Sequence, residues 1–369
     1  MAHIAIDARK YFDFGIGTYI QNLTRALAQL DSPHRYSLYV SPEDSPGIEC
    51  PEHWTKRIAK FRKYSPGELL SFGYLVKRQG VDLLHVPHYT LPIGLNGRSV
   101  VTVHDLIHLK FPQYFTSLQR AYASTVLRHV ARHAGAIITG SGHAKQDVIE
   151  ALHVDERKVY PIYHGIQPGF EPLRDQERIK DFRGRFQLLH PFILYVGSIK
   201  PHKNIPTLLK AFKSIVSWRS DVELVFVGDS LFKNGPLSKL AQSLGIATSI
   251  KDLGWLTREG LVCAYNAAEV LVLASLYEGF GLTAVEAMAC ETPVVASNAA
   301  SLPEVVADAG IIFEATSPGS LDDALRSVLS DPQLKNELVA KGKRNIQRFS
   351  WDRAARETLR VYDVVLAKQ

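Results

Sequence analysis

The sequence predicts an α/β protein with two parallel-sheet domains, and three observations support this fold class. Short apolar runs alternate with helix-like segments through both halves of the chain, a pattern typical of parallel sheets covered by helices. The length of 369 residues exceeds the size at which a single core usually stops growing, about 250–300 residues. Two prolines and a glycine interrupt regular structure at residues 167–172. We therefore expect an N-terminal domain over residues 1–168 and a C-terminal domain over residues 169–349.

The apolar runs define the expected strands of each sheet. In the first domain they lie near residues 3–6, 36–40, 82–86, 99–103 and 136–139. In the second domain they lie near residues 192–196, 223–227, 250–253, 270–274, 293–297 and 311–313. The segments between them are helix-like, so each sheet is expected to carry helices on both faces.

The last segment, residues 350–369, predicts one more helix. Ser350 is a typical N-cap residue, and apolar side chains follow at helical spacing. These side chains are Ala355, Leu359, Tyr362 and Leu366. Because this amphipathic helix follows a complete second domain, we expect it to cross back and pack on the first.

Composition and the N-terminus indicate a cytoplasmic protein. Apolar residues make up 46% of the chain and charged residues 22%, which is typical of globular proteins in solution. The three cysteines are scattered and have neither disulfide-framework nor metal-site spacing. The first residues resemble a strand rather than a signal peptide, and no apolar stretch approaches the length of a transmembrane helix, about 20 residues.

Two glutamates in one short segment, Glu278 and Glu286, are the most informative residues. Glu278 follows the expected strand 270–274 in a glycine-rich turn, and Glu286 lies in the helix expected at Leu282–Ala289. Backbone N–H groups at the helix start suit a phosphate. A nucleotide sugar has this layout, with sugar hydroxyls, a diphosphate and ribose hydroxyls. The alternative is that Glu278 caps the turn and Glu286 is a solvated helix residue.

A second glycine-bearing loop follows the first strand, at residues 13–18. Gly15 and Gly17 allow the backbone to approach a ligand phosphate or sugar closely. The dinucleotide fingerprint is incomplete, because Ile20 stands where the third glycine belongs. NAD binding is therefore the poorer interpretation.

A third loop, residues 196–204, joins the strand at 192–196 to a helix expected to begin near Asn204, a good N-cap residue. It places Lys200 and Lys203 at the same sheet edge as Glu278. A lysine there is a candidate phosphate ligand, and a solvated loop is the alternative. The spacing does not match a P-loop.

His104 ends the strand at 99–103, where ligands bind in open α/β sheets. A structural role is the alternative, since twelve of the 14 histidines lie in residues 1–170. His164 is a weaker candidate that shapes the interdomain turn.

Taken together, these segments resemble the retaining glycosyltransferases of family 4, which have the GT-B fold. The resemblance covers essentially the whole chain, and its parts follow the order of the family. These parts are Gly15-Ile16-Gly17, Thr102-Val103-His104-Asp105-Leu106, Thr139-Gly140-Ser141, the loop from Gly197 to Asn204, the segment from Glu278 to Glu286, Pro293-Val294-Val295-Ala296-Ser297, and Leu302-Pro303-Glu304-Val305. Trp351 in the last helix is a supporting feature.

The resemblance implies two Rossmann-like domains that face each other across a cleft, with the donor bound mainly by the second and the acceptor by the first. It implies that Glu286 holds ribose hydroxyls, that Glu278 holds hexose hydroxyls, and that Lys203 binds phosphate. His104 would lie near the hexose and the reacting centre. The catalytic set is thus His104, Glu278 and Lys203; the donor-binding set is Gly15, Gly17, Ser198, Lys203, Glu278, Phe280, Gly281, Leu282 and Glu286.

One position departs from the family pattern. Many members have an arginine where this chain has Ser198, and that arginine pairs with the lysine in phosphate binding. Lys200 or His202 is a possible substitute, or Lys203 acts alone.

The expected reaction is hexose transfer with retention in bacterial polysaccharide or glycolipid synthesis. The donor is GDP-mannose by first choice and UDP-hexose next; the acceptor is a saccharide or lipid-linked saccharide. We expect no cofactor and no metal, because no Asp-x-Asp triplet ends a strand, and no nucleic-acid partner. Two alternatives are a nucleotide-sugar 2-epimerase, for which Asp7 and Asp105 are modest acid–base candidates, and a non-catalytic sugar-nucleotide-binding protein.

Peripheral contact with an anionic membrane is a further expectation. Residues 54–64 interleave five cations with Trp54, Phe61 and Tyr64. The helix expected at residues 117–133 adds Arg120, Arg128 and Arg132. The alternative is an ordinary solvated surface.

Overall fold

The computed structural model of the chain describes residues 1–60 and 68–368. It divides into two compact units, one formed by Met1–Gly165 together with Ser350–Gln369, the other by Ile166–Phe349. The boundary between the first unit and the second follows Gly165, just before the Pro-Gly segment at which the sequence predicts it. Gly165 packs so tightly against Trp351 that a Cβ would overlap the tryptophan.

The first unit contains a parallel sheet of seven described strands. They are β1 (His3–Asp7), β2 (Arg35–Val40), β3 (Thr55–Ile58), β4 (Leu83–Val86), β5 (Ser99–Val103), β6 (Ala136–Thr139) and β7 (Val159–Pro161). Their order is β3-β2-β1-β4-β5-β6-β7. Every residue of β1, β4, β5 and β6 is buried, because apolar side chains pack on both faces. These fully buried strands are the ones whose sequence signal is clearest.

The helices of the first unit cover both faces of this sheet. They are α1 (Phe14–Ala28), α2 (Gly73–Arg78), α3 (Ile107–Lys110), α4 (Ser117–His133) and α5 (Gly142–Leu152). Two apolar clusters result, one containing Tyr19 and Leu23 of α1, the other containing Leu127 and Val130 of α4. Helix α4 begins with a complete capping box, in which Thr116 and Gln119 satisfy each other's backbone N–H groups.

Strand β3 corrects one part of the membrane-contact expectation for residues 54–64, the role given to Trp54. Thr55–Ile58 pairs with β2 at the edge of the sheet. Trp54 is only 6% exposed and stacks on Tyr36 with ring centroids 4.5 Å apart, so its ring cannot insert among lipid headgroups. The Lys56 ammonium donates to the carbonyls of Ser45 and Ile48. Phe61, Arg62, Lys63 and Tyr64 lie outside the described residues.

The second unit contains a parallel sheet of six strands. They are β8 (Phe192–Gly197), β9 (Glu223–Gly228), β10 (Ile250–Asp252), β11 (Val270–Leu273), β12 (Val294–Ser297) and β13 (Gly310–Phe313), in the order β10-β9-β8-β11-β12-β13. Its helices are α6 (Gln176–Arg185), α7 (Ile205–Trp218), α8 (Gly235–Ser243), α9 (Arg258–Ala267), α10 (Leu282–Ala289), α11 (Leu302–Val306), α12 (Pro318–Ser330) and α13 (Pro332–Asn345). The reversal of strand order beside β8 and β11 leaves a crevice position at their carboxyl ends, where ligands bind in such sheets.

The last helix, α14 (Trp351–Leu366), belongs to the first unit. The Ser350 hydroxyl accepts from the N–H of Arg353, which is the expected N-cap bond. The buried face of α14 joins the apolar cluster that contains β1 and α1. Among the described residues, no helix is both long enough and apolar enough to cross a membrane.

Candidate active site

The turn between β11 and α10 carries Glu278, and the helix begins at Leu282 as the sequence predicts. Gly281 has a φ of +97°, a left-handed conformation that favours glycine, and a Cβ there would come within 2.9 Å of Leu302 Cδ2. The Ser301 hydroxyl donates to the carbonyl of Glu278 at 2.8 Å and to that of Phe280 at 3.0 Å. A neighbouring helix start therefore holds the main chain of this turn in place.

Glu278 and Lys203 form an ion pair in the second unit. Lys203 Nζ lies 2.6 Å from Glu278 Oε1, and the Ser275 hydroxyl donates to the same oxygen at 2.6 Å. The two charged side chains are only 20% and 16% exposed. Burial alone would raise the pKa of Glu278, but the Lys203 ammonium and the Ser275 hydroxyl hold that pKa below its ordinary value. The carboxylate is therefore ionised and has a cation in direct contact.

The loop that carries Lys203 follows β8 and includes a short 3-10 turn, Pro201–Lys203. Asn204 follows with a φ of +56° and is the N-cap residue of α7, as the sequence predicts, although its side chain makes no hydrogen bond to the helix backbone. Its Oδ1 accepts from the Thr207 hydroxyl, and its amide donates to the carbonyl of Ala315. The side chain thus fastens the loop to the segment after β13 and orients the residue before it, Lys203.

Ser198, where many family members have an arginine, lies in a tightly held part of the same loop. The buried Tyr195 hydroxyl donates to the Ser198 carbonyl at 2.5 Å, and the N–H of Ile199 donates to Asp229. Burial and the nearby carboxylates of Glu278 and Asp229 raise the pKa of Tyr195 well above its usual value, so its hydroxyl stays a donor. These two anchors could not be predicted from the sequence, because the pattern around Tyr195 indicates only an apolar strand residue.

Glu286 is buried in α10, at 6% exposure, so the solvated-helix interpretation is wrong. The Tyr265 hydroxyl donates to its Oε2 at 3.0 Å, and the Gln167 amide donates to its Oε1 at 3.2 Å. Burial raises the pKa of Glu286 to about 7, although both hydrogen bonds oppose the shift. Each carboxylate oxygen has a second lone-pair site, so a ligand hydroxyl can bind beside the protein donors.

Tyr265 and Gln167 were missed by the sequence analysis. Tyr265 lies on the apolar face of α9 and has the appearance of a core residue, while Gln167 belongs to the segment that divides the chain. Arg258, at the first position of α9, also lies close enough to Glu286 to lower its pKa. The hydrophobic periodicity of a helix does not distinguish a tyrosine that packs in the core from one whose hydroxyl binds a carboxylate. The role of Tyr265 is therefore visible only in the structure.

In the first unit, His104 lies directly after β5 and is partly buried. Its Nε2 is 3.1 Å from the carbonyl of Pro87, and its ring meets the Tyr19 ring edge-on, with centroids 4.9 Å apart. A carbonyl only accepts, so Nε2 carries the proton and Nδ1 has the lone pair in the neutral ring. Burial lowers the pKa of His104 and favours this neutral form. The ring can therefore accept a hydrogen bond from a hydroxyl through Nδ1.

Gly15 and Gly17 lie in the first turn of α1 rather than in a loop, which corrects the sequence prediction. Helix α1 already begins at Phe14. At Gly17 a Cβ would overlap the Tyr11 carbonyl, whereas at Gly15 it would meet nothing within 4 Å. The two glycines therefore differ: Gly17 is required by packing, and Gly15 leaves open space beside the helix start.

The carboxylates proposed for an epimerase have structural partners. Asp7 forms two hydrogen bonds with the buried Arg9 guanidinium, at 2.8 and 2.6 Å. Asp105 accepts from the N–H of Ile107 at the start of α3. Within residues 1–60 and 68–368, no group of three or more His, Cys, Asp or Glu side chains is arranged to hold a metal ion.

Comparison with known proteins identifies relatives of both units. Residues 15–170 match the model of Glycosyltransferase Family 4, and residues 177–345 match that of Glycosyl transferases group 1. The O-antigen chain mannosyltransferase B of Escherichia coli is 28% identical over 285 residues, which cover 77% of this chain and 74% of that protein. The MMP alpha-(1->4)-mannosyltransferase of Mycolicibacterium hassiacum is 32% identical over 246 residues, which cover 65% of this chain and 57% of that protein.

Solved structures show the same fold. Anabaena HepE in complex with UDP-glucose superimposes with a TM-score of 0.77 at 18% identity, over 98% of this chain and 99% of that chain. Together with the two parallel sheets, this likeness confirms the predicted α/β class of two Rossmann-like units.

Proposed function

We propose that this chain, which belongs to the family 4, group 1 glycosyltransferases, transfers a hexose with retention from a nucleotide sugar to a saccharide or lipid-linked saccharide. The observation that carries the proposal is the Lys203–Glu278 ion pair beside the start of α10, with Glu286 further along the same helix. A cation, a helix start and two carboxylates match the phosphate, hexose and ribose of one donor molecule.

In the proposed donor complex, Lys203 turns from Glu278 to an oxygen of the diphosphate. The N–H groups of Gly281, the N-cap residue, and of Leu282, the first residue of α10, have no carbonyl of their own helix to bind and can donate to the same anion. Glu278, freed from one of its donors, binds hexose hydroxyls. Glu286 binds ribose hydroxyls while Tyr265 and Gln167 hold its orientation.

Turnover then depends on stabilising the departing nucleoside diphosphate. Lys203 supplies a fixed positive charge where negative charge grows, so no metal is required for this step. His104 accepts a hydrogen bond from a substrate hydroxyl through Nδ1. We propose a front-face route, in which the leaving phosphate takes the proton of the acceptor hydroxyl, so that the new bond forms on the face from which the old one departs.

GDP-mannose is the first choice of donor, because two relatives are named mannosyltransferases. UDP-glucose is the second, because HepE binds it in the same fold. A thermal-shift panel of nucleotide sugars and nucleoside diphosphates separates them, since a ligand at about 100 times its Kd adds about 2.7 kcal/mol of stability. Stabilisation by GDP and GDP-mannose, but not by UDP or UDP-glucose, is the expected result.

The reaction is tested with the stabilising nucleotide sugar and no added acceptor. Slow release of the nucleoside diphosphate, with the freed hexose first appearing in the donor's anomeric configuration by proton NMR, is the expected result. A new sugar-nucleotide isomer without release would instead identify an epimerase. Stabilisation with neither product would identify a binding protein. Release that persists in excess EDTA is expected, and its loss would contradict the metal-free proposal.

The ribose assignment of Glu286 has its own test. Glu286→Ala should weaken binding of the nucleoside diphosphate by roughly 10–100-fold, because a hydrogen bond to a charged group contributes about 1.5–3 kcal/mol. Isothermal titration calorimetry measures the change, with Glu337→Ala on α13 as an exposed control. An affinity equal to that of the unmodified chain would remove Glu286 from the donor site.

A further inference from the structure

Four buried side chains in the first unit form one continuous chain of hydrogen bonds. The Tyr362 hydroxyl of α14 lies 2.6 Å from His85 Nδ1 in β4. His85 Nε2 lies 2.9 Å from the Thr102 hydroxyl in β5, which lies 3.1 Å from the Tyr19 hydroxyl in α1. The first three side chains are fully buried and Tyr19 is 2% exposed. The chain thus links the last helix to the first along the face of the sheet on which both helices pack.

His85 is suited to the middle of this chain because it is neutral. Burial, with a further contribution from nearby His104, lowers the pKa of His85 to about 3. A neutral imidazole has one N–H donor and one acceptor nitrogen. Since each neighbouring hydroxyl can either donate or accept, both nitrogens of His85 can be satisfied whichever of them carries the proton. Loss of any one hydroxyl would leave a buried polar atom without its partner and loosen the remaining groups.

The chain ends on Tyr19, whose ring forms one wall of the His104 environment. Tyr19 meets His104 edge-on at 82°, and it also contacts His164, with ring centroids 4.9 Å apart. His164 in turn stacks on Trp351, the first residue of α14, at an interplanar angle of 10°. Helix α14 therefore reaches the surroundings of His104 at two points, through hydrogen bonds from Tyr362 and through rings from Trp351.

We propose that Tyr19 is a positioning residue, held by Thr102, His85 and Tyr362, that fixes the ring plane of His104. The bond from His104 Nε2 to Pro87 sets one nitrogen but does not by itself stop the ring from pivoting, and the His164 ring contacts it only at a centroid distance of 5.7 Å. The edge-on Tyr19 ring blocks that pivot and directs Nδ1. A hydrogen-bond acceptor at a reacting centre has to be held within about 10–20° of its productive direction. The effect on turnover rests on the function proposed above.

The test compares Thr102→Val, which removes the hydroxyl and keeps the shape, with Thr102→Ser, which keeps the hydroxyl. The first measurement is the nitrogen-15 NMR spectrum of the histidine rings, with His104 assigned by its absence in His104→Gln. The unmodified chain should show His104 as the Nε2–H tautomer alone. Thr102→Val should add a second His104 tautomer or broaden the signal, and Thr102→Ser should restore the single form.

The second measurement is nucleoside diphosphate release from the nucleotide sugar that the unmodified chain hydrolyses. Thr102→Val should lower kcat about 10-fold and change KM by less than about twofold, because misorientation acts on the reacting geometry. Tyr362→Phe, at the far end of the chain, should act in the same direction. Thr358→Val is the matched control: Thr358 is a fully buried threonine of α14, and no hydrogen bond joins its hydroxyl to the network within the described residues.

Three results would overturn the proposal. One is a Thr102→Val protein whose His104 spectrum and kcat equal those of the unmodified chain. Another is a Thr102→Ser protein that loses as much kcat as Thr102→Val, since the hydroxyl would then not be the cause. The third is an equal effect of Thr358→Val. If the unmodified chain releases nucleoside diphosphate from no nucleotide sugar, the proposed transferase activity fails, whereas the NMR comparison still decides the role of Tyr19.

Discussion

Two carboxylates of one nine-residue segment, Glu278–Glu286, have opposite pKa shifts, and the residues around them explain why. Glu278 has a lysine ammonium and a serine hydroxyl at 2.6 Å, which outweigh the effect of its burial. Glu286 has only neutral donors, a tyrosine hydroxyl and an amide, so burial dominates and its pKa rises to about 7. The distribution of charge over the candidate donor site therefore depends on individual neighbours rather than on the segment itself.

Lys203→Ala should lower kcat for nucleoside diphosphate release by roughly 100-fold and change KM much less. The reason is that negative charge on the leaving phosphate grows in the transition state, where a preorganised cation contributes about 2.7–4 kcal/mol. Steady-state kinetics measures both constants. Lys210→Ala, on the exposed face of α7, removes the same charge outside the site and serves as control. A raised KM with unchanged kcat would argue against a role in leaving-group stabilisation.

Glu286→Gln should change how the free energy of unfolding depends on pH. With a folded pKa of about 7, above the unfolded value of 4.5, the folded state takes up the proton first as pH falls. The resulting stability is full below pH 4.5 and is lost as pH rises through 7, by about 3 kcal/mol in total. Glutamine does not titrate, so this loss should be absent. Urea unfolding of both proteins at pH 5 and pH 8 measures it; parallel curves would contradict the assignment.

At the scale of elements, packing constraints differ between glycines of a single turn. Gly15 and Gly17 both lie at the start of α1, yet only Gly17 lies against the backbone, at Tyr11. The contact closes the loop from β1 onto the helix, where the N–H of Gly17 donates to Asp13 at 2.7 Å. The helix start therefore depends on one glycine for its geometry and not on the other.

Gly17→Ala should destabilise the protein by about 1–3 kcal/mol, since a Cβ would force the Tyr11 carbonyl out of place. Gly15→Ala is the matched control and should be neutral or stabilising by up to about 1 kcal/mol, because alanine favours helix and meets no neighbour there. Urea unfolding gives both values. Equal effects of the two substitutions would show that the Tyr11 contact does not constrain the helix start.

The burial of an element determines whether it could be predicted from the sequence. Strands such as β5 and β11 are apolar on both faces, so they stand out as continuous runs. Edge strand β3 has exposed polar residues and no continuous apolar run, so the sequence pattern does not predict a strand there. Asn204 is the N-cap residue of α7 as predicted, but its side chain makes no cap bond, because its Oδ1 accepts from the Thr207 hydroxyl and its amide donates to the carbonyl of Ala315.

The candidate site could be predicted in part, for the same reason. Glu278 and Lys203 follow strands and Glu286 lies within the next helix, positions that the sequence pattern locates. Ser275 is a local partner, three residues before Glu278, whereas the partners of Glu286, Tyr265 and Gln167, come from distant segments that only the fold brings to it. No sequence period records a contact between residues that are 21 or 119 positions apart.

At the scale of the whole molecule, the surface proposed for membrane contact lies outside the donor site. Arg120, Arg128 and Arg132 are exposed on α4, and no described ion pair neutralises them. Trp54 is buried and cannot contribute to membrane contact. Among the described residues, α4 is therefore the surface that we propose contacts an anionic membrane when the acceptor is lipid-linked.

Replacing Arg120, Arg128 and Arg132 together by glutamine should weaken sedimentation with anionic vesicles by roughly 100-fold, at about 1 kcal/mol for each cation near the surface. Arg178, Lys180 and Arg185 of α6, replaced in the same way, remove equal charge from the second unit and should have little effect. Binding should also fall as salt is raised. Equal sedimentation with neutral and anionic vesicles would make α4 an ordinary solvated surface.

The placement of α14 also sets the order in which the chain can fold as it is synthesised. The first unit consists of residues 1–165 together with residues 350–369, and α14 contributes Trp351, Tyr362 and Val365 to its core. The second unit is one uninterrupted stretch and holds all of its own strands. Although domains generally fold in the order in which they leave the ribosome, here the second unit can complete its core first. The unit that is translated first therefore reaches its native state only after the second unit has been translated as well.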